Sequence, residues 1–188
     1  PNFKRGYCYE MYTNRGTCTR GVGSADFGAD FKNQITRPGE WQLFMEGYGE
    51  TLPYHDNRMW LSKELDPLGM PKIHLSMTYS DNERVMAQQM MDDAVEMMTA
   101  AKLENVKGFN NPIVPGSVIH EMGTARMGRD PKTSVLNGRN QLHEVPNVFV
   151  TDGSCMVSSP TQNPSLTYMA LTARAASYAV EALKRKEI

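Results

Sequence analysis

Apolar and polar positions alternate with period two in three successive stretches of the chain. In PKIHLSMTYS (71–80), Ile73, Leu75, Met77 and Tyr79 fall on one face and Lys72, His74, Ser76 and Thr78 on the other. In NRMWLSKEL (57–65), Met59, Leu61 and Lys63 oppose Arg58, Trp60 and Ser62, and WQLFMEGYGE (41–50) is dense in aromatic and apolar residues. Each reads as a strand. The links LPYHDN and DPLGMP carry turn residues and are short, which predicts antiparallel neighbours in a single sheet with one wet face. The period then changes to that of a helix. Ser80 followed by Glu83 is a capping box, after which Val85, Met86, Met90, Met91, Ala94, Val95, Met97 and Met98 recur at helical spacing to about Ala101. This methionine stripe reads as core, with Asp92, Asp93 and Glu96 as its solvated face.

The last third predicts a strand at VFVTDGS (148–154), a loop, and a helix to about Lys184 with Asn163 as N-cap and Pro164 at its first position. Residues 1–39 are polar and glycine-dotted and read as irregular or as loose hairpins. GVGSADFG (21–28) is not a GxGxxG turn, because the third glycine is misplaced and no apolar strand precedes it. The elements together predict an α+β fold: an antiparallel sheet packed against helices, followed by a C-terminal strand–loop–helix.

Composition narrows the function. The chain has 188 residues, about one domain, and is 40% apolar and 22% charged, enough for a core. A net charge of −1 argues against a broad nucleic-acid or anionic-membrane surface. The longest uncharged run, Gly153 to Ala173, contains Pro160, Gln162, Asn163 and Pro164 and is not a membrane span. Cys8, Cys18 and Cys155 suit neither a disulfide framework nor a zinc site, and His55, His74, His120 and His143 lie at no ligand-like spacing, so no metal is expected. The chain begins at Pro1 with no signal segment and reads as an excised piece, too short to be a large cofactor enzyme complete in itself.

Three pieces of the last third carry chemistry. His120 stands beside a Met-Gly turn, and an imidazole is suited to accepting a proton from a hydroxyl. Asp152-Gly153-Ser154 ends an apolar strand, and Asn163-Pro164 opens a helix whose amides face whatever is negative. His74 lies on the wet face of its strand, and His55 lies in a turn; both read as surface residues.

HEMGTARMG, then VPNVFVTDGS, then SSPTQNPSLTYMALTARAASY resemble, in that order, the C-terminal signature of the glucose–methanol–choline (GMC) flavoprotein oxidoreductases. The resemblance is strongest from about Ser117 to Leu183 and extends in weaker form to 50–80, closest to sugar and gluconate dehydrogenases. It implies that His120 is the base taking the substrate hydroxyl proton as hydride passes to flavin, and that Asn163 hydrogen-bonds the substrate oxygen. It implies FAD as cofactor, with Asp152 and Gly153 at a turn near its ribityl and phosphate region. Pro164 precedes Ser165, whose amide would serve the reduced ring.

The implied organisation is an irregular segment at 1–40, a substrate-binding part at 41–116, and the signature with the catalytic pair and flavin-contacting helix at 117–188. The family's GxGxxG FAD-binding domain has no counterpart in this sequence, so an N-terminal FAD domain is the implied partner. Flavin is not expected to be held by this chain alone. The substrate class is an alcohol, polyol or sugar CH–OH. The rival expectation is a non-catalytic carbohydrate-binding domain using Trp60, His74 and Thr78.

Overall fold

The computed structural model describes residues 2–17, 21, 25–117 and 119–188. Cys18, Gly23 of the glycine-dotted stretch, and Val118 ahead of His120 lie outside them. The elements run β1 (Tyr7–Arg15), α1 (Gly28–Thr36), β2 (Trp41–Gly49), β3 (Arg58–Leu65), β4 (Pro71–Ser76), α2 (Asp81–Ala100) and α3 (Ser165–Lys184), with a 3₁₀ turn at Gly153–Cys155. Both sheets are antiparallel and stand beside helices without a parallel β–α–β unit among the described residues, so the fold is α+β.

The three expected strands do not form one sheet. Among the described residues two separate two-stranded sheets are present, β1–β2 and β3–β4. β2 pairs along its whole length with β1, from Tyr7 opposite Gly49 to Arg15 opposite Trp41. Residues 7–15, in a segment read as irregular or as loose hairpins, therefore form a strand on β2, and α1 is an exposed helix without a buried residue. Physically, the link between β2 and β3 is captured by α2 instead of turning a hairpin. The Leu52 amide donates to Glu83 Oε1 at 3.1 Å, and the Tyr54 hydroxyl bonds both Ser80 Oγ and Glu83 Oε1. β3 and β4 pair as expected, with Trp60 opposite His74, through a register shift between Leu61 and Leu65. β4 stops at Ser76, short of Ser80, because Asn57 takes both backbone groups of Thr78, at 3.0 and 3.1 Å, in place of a strand partner.

The capping box forms as expected: Ser80 accepts from the first turn of α2 and the Glu83 carboxylate from the Ser80 amide. α2 packs on β2 through glycine. A Cβ at Gly47 would lie 2.5 Å from Met90 Sδ, and one at Gly49 would lie 2.6 Å from Met86 Cε. Only Met86 of the stripe is fully buried; Met90, Met91 and Met98 are half-buried, and Met97 faces solvent. Asp93, expected on the solvated face, instead accepts from the Tyr7 hydroxyl of β1 and from Gln89 Nε2 at 2.6 Å.

A second small core lies between α3 and residues 135–155, built on Leu136, Cys155, Ala175 and Ala182. The chain exposes 14146 Å² in all, against about 9,000 Å² for a compact protein of this mass. Much apolar surface is uncovered, including Ile73 and Leu75 of β4 and Leu166 and Met169 of α3. No helix among the described residues is long and apolar enough to cross a membrane.

Candidate functional site

The expected strand at 148–154 is reduced to an isolated bridge between Gln141 and Phe149. Its backbone is served by a buried loop residue instead of by a neighbouring strand. Asn140 is fully buried at φ +63°. Its backbone carbonyl accepts from the Val150 amide at 2.9 Å, and its side-chain nitrogen donates to the Val150 carbonyl at 3.0 Å. Its Oδ1 accepts from Arg174 of α3 at 2.9 Å. The Arg139 guanidinium lies 4.2 Å over the Tyr178 ring, and Phe149 meets that ring edge-on. These contacts fasten the stretch leading to Asp152 against α3.

At its end the chain turns. The exposed Asp152 carboxylate accepts from the Ser154 amide at 2.9 Å and from the Ser154 hydroxyl, which starts the 3₁₀ turn at Gly153. The segment after His120 docks on this turn: the Ala125 amide donates to the Ser154 carbonyl at 3.0 Å, and the Met127 amide donates to that of Cys155 at 2.9 Å. Tyr168, in the first turn of α3, reaches the same place. Its hydroxyl points to Met122 Sδ at 3.8 Å, and a Cβ at Gly153 would stand 2.9 Å from that hydroxyl and 3.0 Å from the sulfur. A side chain at 153 would have to displace the Tyr168 hydroxyl or the Met122 thioether. Burial, and then the Asp152 charge, push the Tyr168 phenol above its ordinary range, so it stays protonated. Burial likewise raises the Cys155 thiol, which keeps it an unreactive packing residue.

The helix start differs from expectation. Pro164 is the N-cap, α3 begins at Ser165, and no side chain caps it. Asn163 is therefore one residue outside the capping position, with its exposed side chain uncommitted to the helix. Pro164 is buried and Ser165 exposed, so the first amides of α3 stand uncapped as donors. Alongside them runs an open groove of about 500 Å³ lined by Ser165, Tyr168, Met169, Thr172 and Ala173. β1 supports the preceding loop from below, where Cys8 Sγ lies 3.7 Å from the Thr161 carbonyl.

The other histidines are occupied elsewhere. His55 lies 3.8 Å from Asp56, His74 stacks on Trp60 at 5.5 Å, and His143 Nε2 bonds Ser134 Oγ at 3.0 Å. His120 is half-buried, two residues ahead of Met122. The face of β3–β4 turned toward its segment is the apolar one: Thr124 Oγ1 lies 3.9 Å from Met59 Sδ, and Gly116 lies against Leu75 and Met77. Trp60 and His74 occupy the opposite face. The structure therefore gathers the His120 segment, the Gly153 turn and the start of α3. Sequence reasoning missed Tyr168 and Met122, which join them; the only signal was an aromatic in the first turn of the helix.

Residues 53–172 match a family model described as GMC oxidoreductase. The chain is 37% identical over 134 residues to the 2-methyl-1,2-propanediol dehydrogenase of Mycolicibacterium austroafricanum, covering 70% of this chain and 24% of that protein. It is 34% identical to the fructose dehydrogenase large subunit of Gluconobacter japonicus, covering 72% and 25%, and 31% identical to the paromamine 6'-oxidase of Streptomyces fradiae, covering 85% and 29%. The chain thus spans about a quarter of the length of these relatives.

Proposed function

Because the chain belongs to the GMC oxidoreductase family, we propose that it supplies the C-terminal, substrate-side part of an FAD-dependent enzyme that oxidises the CH–OH group of an alcohol, polyol or sugar. The observation that carries this reading is the meeting of the His120 segment, the Gly153 turn and the uncapped start of α3, inside the stretch that matches the family. The relatives' names are those of dehydrogenases and oxidases, which does not favour the non-catalytic carbohydrate-binding alternative.

The residues present fit a flavin edge. The exposed Ser165 opens an uncapped helix, where an amide and the positive end of the dipole suit an acceptor that gains negative charge. The adjoining groove offers Met169 and Ala173 to an apolar ring. When bound, FAD supplies the hydride-accepting centre. His120 takes the proton from the substrate hydroxyl onto an imidazole nitrogen, and the Asn163 amide donates to the same oxygen and orients it. Asp152 and Gly153 form a turn that would hold the cofactor's ribityl and phosphate chain; Pro164 sets the entry into α3. The uncovered apolar surface, including Ile73, Leu75, Leu166 and Met169, is supplied with a partner by an N-terminal FAD-binding domain.

The test is His120→Ala in the flavin-loaded enzyme. Loss of the base lowers the rate of flavin reduction by about 10²-fold or more in stopped-flow. An unchanged rate would show that His120 is not the base.

A further inference from the structure

The His120 stretch makes few backbone hydrogen bonds among its described residues. Among the described residues, the nearest backbone hydrogen bonds on either side are those of the Ser117 amide to Val114 and of the Ala125 amide to Ser154. Between them the segment is held by side chains: Thr124 against Met59 at 3.9 Å, and Met122 against Tyr168 at 3.8 Å. The Met122 tether is the one nearer to His120, two residues away. Its other end is on α3, five residues after Asn163.

We propose that Tyr168 is a positioning residue whose phenol oxygen sets His120 relative to Asn163. That oxygen is the point at which three segments meet: Met122 of the His120 loop, the Gly153 turn, and the first turn of α3. The space it fills is the space a side chain at 153 would take, 2.9 Å from the phenol oxygen. A hydroxyl wedged between a thioether and a glycine Cα limits how the loop moves against the helix. Because burial keeps the phenol protonated, the contact has the same donor at every working pH. The role rests on His120 being the base and Asn163 its partner at the substrate oxygen. Tyr168 acts through them and touches no reacting atom.

The experiment is Tyr168→Phe in the flavin-loaded enzyme, which removes the junction oxygen and keeps the ring. Stopped-flow flavin reduction is followed against substrate concentration and pH, beside thermal unfolding. The expected result is a limiting rate about tenfold lower with a displaced pH profile, the scale on which sub-ångström to ångström misplacement acts. Apparent substrate affinity stays within about twofold, and the unfolding midpoint is unaltered, since volume is nearly conserved. A limiting rate within about twofold of the parent and a superimposable pH profile overturn the proposal.

If the midpoint falls as well, Met122→Leu decides. It removes the sulfur at similar volume, and the same slow, pH-displaced reduction upholds the tether while a normal rate overturns it. His120→Ala run alongside separates the two readings. A slow His120→Ala with a normal Tyr168→Phe defeats only the positioning role, whereas an unchanged His120→Ala defeats the base.

Discussion

Asn140→Ala tests what holds the turn at Asp152 against α3. The side chain is fully buried and makes two bonds, to the Val150 carbonyl at 3.0 Å and from Arg174 at 2.9 Å. The first is neutral and contributes about 1 kcal/mol; the second is charge-assisted, about 1.5 kcal/mol at the low end appropriate to an exposed arginine. The backbone at φ +63° adds about 1 kcal/mol more for alanine, which lacks the local polar bonding that lets asparagine sit there. The expected loss is about 3–4 kcal/mol, read from urea denaturation followed by far-UV circular dichroism. Asn140→Gly removes the same bonds without the φ cost and is expected to lose about 1 kcal/mol less than alanine. A loss below about 1 kcal/mol for alanine, or alanine and glycine alike, would falsify this account of the joint.

Two further outcomes are expected. Burial works to raise Glu83, but bonds from Ser80, the Leu52 amide and Asn82 outweigh it and hold its carboxyl below the usual range. A carboxyl depressed in the fold contributes stability above its unfolded pKa, which is lost as pH falls through the folded one. Glu83→Gln should therefore flatten the acid limb below about pH 4.5, and an acid limb identical to the parent's contradicts the sign. Separately, the 188-residue chain by itself should hold no stoichiometric flavin, because α3 offers an open groove and not an enclosing site; a yellow peak at one flavin per chain in gel filtration speaks against it.

Local patterns were legible where one segment's own chemistry decides its form. Ser80 and Glu83 cap α2 because their partners lie within three residues of each other, and the period-two faces of 57–65 and 71–76 survive as a hairpin joined by a short turn. Assignments failed where the partner was distant. Trp41–Gly49 looked like the first strand of a meander, yet its partner is β1, which lies upstream of it across residues 16–40. Asp93 read as solvated because the Tyr7 hydroxyl that meets it lies 86 residues away in sequence.

The chemistry divides the same way. His120, Asp152, Gly153, Asn163 and Ser165 are singled out by the motif order that resembles the family signature, and the roles proposed for them follow from that resemblance. Which side of the hairpin faces them could not be read this way, because alternation distinguishes two faces without saying which one a loop will cross. Contacts at Met59, Leu75 and Met77 turn the apolar face toward the His120 segment and leave Trp60 and His74 on the other. The sequence alone thus determined the inventory and the local elements. Only the tertiary structure decided the pairings and the junction at Tyr168, since those depend on residues far apart in the chain competing for the same space and the same hydrogen bonds.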